Sequence, residues 1–599
     1  MSAANEIGLA VIATTMVICA MFLPVSFMSG LPGQFFKQFG LTVAVAAFFS
    51  LLVARLLTPM LAAYLLKPPK SQQEKASRWL EAYHRLIVWT LDHRLRTMGI
   101  AIASLVLSFG IIPFIPGGFI PYEDISQSRL TIELPRGSTF AETDDAAQRL
   151  AKILKRHEEV EYVLTSIGGG STATNGPQTG DSAASGVNRA DIDIKLVPPN
   201  KRGMDQRAFE QRVLLELKAL PDMRIAFANA NGEKDVTIAL VSDDGAALEN
   251  AALAIERQMR TLPELSSVGT TVSLQQPEIA ITPDFAKAAE LGVSVESIAD
   301  AVNIGTIGDI DANLAKFNVG DRQIPIRVLL RRSGESLKTL ENLKLQTSAG
   351  SSVPLSAIVA FDYDSGPTVI ERFDRRRKIA LEANLNGIAI GPALEQINAL
   401  PSMRNLPAGV HVENTGDAEM MGELVAGFVK AIGGGLLLVY ATQVLLYKDW
   451  IQPLTRMAAL PLSIGGAFLL MLVTGTELSM PAYIGVLMLM GIADKNSILL
   501  VDYMLEKIRD GVPQRQAITE ACMIRVRPII MTSLAMTAGM LPIALSISLD
   551  SAFRAPMAIA VIGGLVSSTA LSLIFVPAMF SYVREFGVWL SPRLRRMIG

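Results

Sequence analysis

The feature that most constrains this chain is a pair of charges inside an apolar stretch. Between Leu478 and Asp502 the text GVLMLMGIADKNSILLVDY carries Asp494 and Lys495, followed by Asn496. Charge in the hydrocarbon core of a bilayer costs on the order of several kcal/mol and usually faces a bundle interior or a water path. There it marks an ion or proton route, or a structural ion pair.

Composition agrees with a membrane setting. Half of the 599 residues are hydrophobic, only 18% are charged, and the net charge is −2. That is a membrane protein with a substantial polar part. Neither charge sign is in enough excess to argue for nucleic-acid or acidic partners. Cys19 and Cys522 are the only cysteines, so no disulfide framework or cysteine metal site is available. His84, His93, His157 and His411 are scattered, so no His-rich metal cluster forms, and no metal or other cofactor is expected. The first apolar run lacks a basic leader and is long enough to span, which argues against a cleavable signal peptide.

Charge-poor runs of spanning length, about 20 residues each, are Ile7–Met28, Gln38–Leu66, Met98–Tyr122, Leu424–Tyr447, Met457–Thr476, Leu478–Tyr503, Pro528–Leu549 and Ala555–Val583. They predict a membrane bundle of eight helices, three before and five after a large polar block. Lys67–Arg96 holds seven Lys/Arg, the loop after the sixth run adds Lys507, Arg509, Arg515, Arg525 and Arg527, and the tail 584–599 adds Arg584, Arg593, Arg595 and Arg596. The positive-inside rule makes all three cytoplasmic. Strict alternation then places the amino terminus inside and the polar block outside. Arg78–His93 reads as an amphipathic helix on the inner membrane face. Arg55 interrupts the second run and is assigned no function.

The chain also repeats itself. The register that carries Ile12 onto Ile530 also pairs Thr14 with Thr532, Ala20 with Ala538, Leu23 with Leu541 and Pro24 with Pro542. Without a gap it pairs Ser50 with Ser568 and Pro59 with Pro577. Runs one and two thus repeat runs seven and eight. In this register the counterpart of Asp494-Lys495 would fall before residue 1. Parallel repeated halves are a recurring transporter design. The expectation is a C-terminal part of such a protein that lacks its first ion partner and does not pump by itself.

The external block alternates strand and helix signals. Ser128–Leu134, Val160–Ile167, Arg189–Val197 and Arg224–Asn229 read as strands; Phe140–His157, capped by Ser138, and Gln206–Leu220 read as helices. That order is β-α-β-β-α-β, the split βαβ (ferredoxin-like) plan. A second set starts with Val236–Val241 and helix Ala246–Leu262. It is interrupted over Pro277–Phe361 and resumes with Thr368–Phe373, Lys378–Asn384, helix Pro392–Leu400 and Val410–Asn414. The fold class expected is therefore a membrane α-helical bundle with an α+β external domain of two split βαβ subdomains, 123–229 and 230–276 with 362–414, plus an insert, 277–361. The Gly/Ser/Thr-rich loop Gly168–Gly186 reads as a flexible lip or a solvated connector.

LLTPMLAAYLLKPP (56–69), GGFIPYED (117–124), KAAELGVSVESI (287–298), GIADKNSILLVDY (491–503) and RVRPIIMTSLAMTAGMLPIALS (525–546) resemble the resistance-nodulation-division (RND) efflux pumps, nearest their AcrB-like hydrophobe/amphiphile branch. The resemblance spans essentially the whole chain and begins just before the family's fifth helix, so helices one to four and the first external region have no counterpart. It implies proton-driven export of amphiphiles by a rotating trimer in a Gram-negative inner membrane. The partners implied are a periplasmic adaptor, an outer-membrane channel and the missing N-terminal half or a separate subunit. It implies porter subdomains and a docking insert in the periplasm.

The resemblance also assigns residues. Lys495 matches the relay lysine of helix ten, and Arg525 and Thr532 match the helix-eleven residues that complete the relay with two helix-four aspartates. Asp494 stands where many relatives carry a small or uncharged residue and is a candidate partner for Lys495. Where AcrB-like pumps line the drug pocket with phenylalanines, this chain has Leu164, Ser166, Gly169 and Ser171, a departure from the aromatic pattern. From the residues alone, Lys495 fits a relay or an ion pair, Thr532 a bond to its own helix, and Arg525 a cytoplasmic anchor. The external block carries no methionine cluster, which weakens heavy-metal export. The remaining alternative is a non-transporting scaffold whose external domain binds partners. The topology is testable: single cysteines at Lys201 and Gly320 should label from outside spheroplasts. Protection of both until lysis would reverse it.

Overall fold

The computed structural model describes residues 8–65, 78–121, 124–135, 138–168, 187–217, 223–228, 234–272, 275–306, 308, 316–320, 322–326, 337–348, 350–367, 370–546 and 551–598. The chain divides into two compact units, Met1–Val272 with Arg372–Gly599, and Ser273–Glu371.

The first unit opens with α1 (Gly8–Phe22) and α2 (Gly30–Leu52), which continues through a π turn at Val53–Leu57 into α3 (Thr58–Leu65). Pro24 opens a short 3-10 turn between α1 and α2, because proline suits a first helical turn and not a helix interior. Its repeat partner Pro542 lies instead in the last turn of a long helix. Next come α4 (Arg78–Asp92) and α5 (Arg94–Ile111). The amphipathic reading of α4 has a structural basis. Ile87, Thr90 and Leu91 are buried while Trp79 and Trp89 are exposed, and the Tyr83 hydroxyl donates to the Leu573 carbonyl at 3.1 Å.

The polar block then begins with β1 (Gln127–Glu133), α6 (Phe140–Leu154), β2 (Val160–Ile167), β3 (Arg189–Leu196), α7 (Gln206–Leu217) and β4 (Arg224–Ala228). The chain order is the one read from the sequence. The sheet order is β2-β3-β1-β4, with antiparallel neighbours throughout. Alternation does the work: Ala190, Ile192, Ile194 and Leu196 of β3 point inward with Leu130 and Ile132, against Leu150, Leu154, Phe209 and Val213 of the helices. The cap of α6 is Thr139 and not Ser138. Thr139 and Glu142 exchange the reciprocal bonds of a capping box, which Ser138 is one residue too early to make. The family-like motif ending at Asp124 has a structural task here. Asp124 pairs with the buried Arg202 and accepts the Gln206 backbone N–H at 2.9 Å at the start of α7.

The second sheet starts with β5 (Val236–Ser242), α8 (Gly245–Met259), capped by Asp244, and β6 (Leu265–Thr270). The separate unit carries β7 (Gln275–Pro283), α9 (Phe285–Glu290), α10 (Val295–Thr306), β8 (Lys316–Val319), β9 (Arg322–Pro325), α11 (Leu337–Glu341), β10 (Lys344–Gln346), β11 (Ser352–Pro354) and β12 (Val359–Pro367). It extends beyond 277–361 because β7 and β12 pair from Pro283–Val359 out to Gln275–Pro367. The chain returns with β13 (Arg372–Phe373), β14 (Arg376–Leu385), α12 (Ile390–Asn398), α13 (Pro401–Arg404) and β15 (His411–Asn414). The sheet order is β13-β14-β5-β15, with β6 also on β14.

The last segment holds α14 (Asp417–Tyr447), α15 (Gln452–Met457), α16 (Ala459–Thr474), α17 (Met480–Arg509), α18 (Gln514–Ala544) and α19 (Ser551–Ile598). α18 starts well before the expected Pro528, because Ala517, Ile518, Ala521 and Cys522 already bury an apolar face. Eight helices among the described residues are long and apolar enough to cross a membrane, and each overlaps one of the apolar runs. They differ in placement: Met480–Arg509 is 78% buried, Pro32–Leu61 only 6%. α17 packs against α1, α14, α15, α16, α18 and α19 and is the interior helix of the bundle. Its start is pinned by the segment after α5, where Leu478 donates to the Pro116 carbonyl at 2.8 Å and Met480 to that of Phe119 at 3.0 Å.

Two glycines let α16 and α19 approach. A Cβ on Gly466 would lie 2.4 Å from the Gly563 carbonyl, and a Cβ on Gly563 2.4 Å from that of Gly466. Small residues permit such contacts where apolar surroundings give no hydrophobic drive between helices. Gly563→Val should therefore separate the helices and sharply lower the yield of folded, detergent-stable protein, measured by size-exclusion profile, while Gly539→Val, in open space, should not.

Candidate functional site

The interior of α17 holds the one carboxylate that the sequence placed in the apolar core. Asp494 is fully buried. One carboxylate oxygen accepts from the Gln443 side-chain amide of α14 at 2.6 Å, and the other has no hydrogen-bond partner. Gln443 is itself fully buried, and its own amide oxygen is unpartnered. A buried carboxyl with one donor and one open oxygen is poised between two states: the ionised form lacks donors, and the neutral form can itself donate. Asn496 and Ser497 add further buried polar groups within one turn, with the Asn496 amide nitrogen and the Ser497 hydroxyl also unpartnered. Polar atoms left short of partners inside a packed bundle are costly, and their gathering on one helix marks this region as more than packing.

Lys495 is the next residue and is half-buried. Adjacent helical residues point about 100° apart, so the two charges leave α17 on different faces. Among the described residues Lys495 makes no ion pair or hydrogen bond. Arg525, on α18, is half-buried. Its guanidinium carbon lies 4.9 Å from the centroid of the Tyr503 ring, and its Nε has no hydrogen-bond partner. It is also one of the cations that act on Asp502 of α17. Thr532 is exposed, and its hydroxyl donates to the Ile529 carbonyl of its own helix at 3.0 Å. The structure thus gathers Asp494, Gln443 and the Asp502–Arg525 neighbourhood around α17, and gives Thr532 no side-chain partner there.

The external candidates lie on β2, an edge strand. Leu164 and Ser166 point to the same exposed face as Tyr162, opposite Asp193 and Asp191 of β3. Arg129 donates to Asp193 at 2.6 Å and Thr131 to Asp191 at 2.9 Å beside them. Exposed apolar side chains and paired charges therefore share that sheet face. Gly169 and Ser171 lie outside the described residues.

Three groups near Asp494 went unassigned in the sequence. Gln443 is the lone amide in the second half of α14, Arg456 stands one residue before an apolar run, and Asp502 served only to bound the stretch. Each was a single polar residue at the edge of, or within, apolar text, which was the available signal.

An interior helix with a buried carboxyl, inside a bundle of membrane-length helices bearing a two-sheet polar block, defines a polytopic membrane protein. A sequence model of the AcrB/AcrD/AcrF family matches residues 1–584, and the chain belongs to that family of RND permeases. Its fold is similar to that of a heavy metal efflux pump solved in two crystal forms, with TM-scores of 0.80 and 0.77 at 23% identity. The match covers 98% and 97% of this chain but only 59% and 60% of those chains, so this chain spans about three-fifths of their length.

The hydrogen bond to Gln443 is testable. Gln443→Leu removes the only donor to Asp494 among the described residues and should lower stability by about 1–3 kcal/mol, read as a drop in thermal unfolding temperature in lipid nanodiscs. The Gln443→Leu/Asp494→Leu double variant should recover much of that loss.

Proposed function

We propose that this chain is permease material of an RND exporter that uses inward proton flow to expel hydrophobic or amphiphilic small molecules. The observation that carries the reading is Asp494, ionisable and fully buried in the most enclosed helix of the bundle, with Lys495 beside it. A buried ionisable group facing protein in a membrane helix is a proton or ion site by default. In this reading Asp494 takes up and releases the proton, and Lys495 on another face of α17, with Arg525 and Thr532 of α18, passes the change along. α18 packs directly on α17 and on α19, a physical route from a titrating group to neighbouring helices.

In the same reading the two sheets of the external block are split βαβ porter subdomains, the unit Ser273–Glu371 is a docking insert, and both face the periplasm. The charged segments after α3, after α17 and at the tail then lie in the cytoplasm. The exposed face of β2 supports an amphiphilic cargo, because Tyr162 and Leu164 stand beside the Arg129–Asp193 pair and offer apolar and charged contacts together. An adaptor, an outer-membrane channel and a trimeric assembly follow from the family's way of working.

The experiment is export by cells that carry the gene together with genes for an RND adaptor, an outer-membrane channel and the N-terminal half of an RND permease. Lys495→Ala should abolish export of a lipophilic cationic dye without lowering the amount of protein in the membrane. Unchanged export would remove Lys495 from the mechanism. Protection against copper or zinc ions with no dye export would favour a metal cargo, and neither activity would favour the scaffold reading.

A further inference from the structure

Arg456 heads the largest fully buried side chains among the described residues, and the relay reading gives it no task. It lies in the last turn of α15, which packs on α17. Its guanidinium carbon sits 3.6 Å from the centroid of the Tyr447 ring, and one terminal nitrogen lies 3.9 Å from Oδ1 of Asp502. None of its three nitrogens has a hydrogen-bond partner. Asp494, on the same helix α17, also has an oxygen without a partner among the described residues.

We propose that Arg456 is a counter-charge shared between Asp494 and Asp502, and that this sharing sets how tightly Asp494 holds a proton. The two carboxylates sit two turns apart on α17; Tyr447, whose ring carries the guanidinium, lies one turn along α14 from Gln443, the donor to Asp494, while Asp502 lies 3.9 Å from the guanidinium itself. They are not equivalent. Asp502 is partly exposed and is also faced by Arg509 and Arg525, whereas Asp494 is fully enclosed and has Arg456 as its cation. Asp449 and the Tyr447 hydroxyl complete the titratable groups around Arg456, with Lys495 next in the chain to Asp494.

A guanidinium always carries its charge, so it titrates nothing itself and acts by position. Turned toward Asp494, it favours the carboxylate. Drawn toward Asp502, it leaves Asp494 enclosed with no cation facing it, and burial then favours the neutral acid despite the Gln443 amide. The Tyr447 ring under the guanidinium holds it by its face and leaves its edge free to choose, which fits a guanidinium with no fixed hydrogen bond. Arg456 is thus a positioning residue. This inference rests on the proton-coupled reading for its consequence in transport, but its test reads proton binding directly.

The test is an infrared pH titration of the full chain in lipid nanodiscs, following the protonated-carboxyl band that Asp494→Asn removes. Arg456→Gln should make Asp494 bind its proton at least about tenfold more tightly, one unit on the pH axis, while Arg456→Lys stays near wild type. Asp502→Asn should release the guanidinium to Asp494 and weaken its proton binding by about threefold or more. A purely structural Arg456 would alter thermal stability and leave the band where it is. A band that moves by less than about twofold in both Arg456→Gln and Asp502→Asn overturns the proposal. If Arg456→Gln does not fold, Asp502→Asn alone decides by the same criterion. Loss of export in Lys495→Ala, with no such band shift here, would leave the transport reading standing and remove this one.

Discussion

The structure depends on enclosing one carboxylate in an apolar bundle. Asp494 sits in α17, and α17 is surrounded by six other helices. The Gln443 amide, the only hydrogen bond to that carboxylate among the described residues, comes from α14. The fully buried Arg456, 3.9 Å from Asp502 of α17, comes from α15, the short helix that leads into α16. The close approach of α16 and α19 at Gly466 and Gly563 keeps the bundle tight on two sides. Each of these features raises the energetic consequence of Asp494 gaining or losing a proton, since a charge in a dry, packed site is felt more strongly than one in water. A group whose charge state matters that much to its neighbours is suited to move them.

The polar block follows a different physics. Its two sheets are built from alternating strands whose inward residues pack on helices, and neither depends on membrane burial. Their connection to the bundle runs through short, well-bonded segments. The strand-like stretch Pro116–Phe119 pairs with the start of α17, and Gly117 also accepts the Gly391 backbone N–H at 3.1 Å at the start of α12. The segment after α5 that pairs with the start of the interior helix is therefore also bonded to the second subdomain of the polar block, a direct link between α17 and that subdomain.

Much of this was legible in the sequence, and the failures have physical reasons. β2 matched its reading at both ends, because a turn and a glycine run bracket it. β6, LSSVGT, was missed, because small and polar residues hide alternation in a strand that draws its order from pairing with β14. The cap of α6 moved from Ser138 to Thr139, a choice between two hydroxyls that only the reach of Glu142 decides. Asp494 and Lys495 announced themselves because charge in apolar text has few explanations. Arg456, Gln443 and Asp502 did not, because each lies near the end of an apolar run, where a polar residue has a bland reading as a membrane-surface anchor. Which end residues fold inward is a tertiary fact, set here by how α15 tucks against α17.

The central claim, that Asp494 carries the proton that drives export, is tested most directly in everted membrane vesicles. These would be prepared from cells expressing this chain together with an RND adaptor, an outer-membrane channel and the N-terminal half of an RND permease, with a pH-sensitive dye reporting the gradient. An amphiphilic substrate should discharge the gradient in wild-type vesicles, and Asp494→Asn should abolish that discharge at equal protein level. Substrate-driven discharge at the wild-type rate in Asp494→Asn would contradict the account.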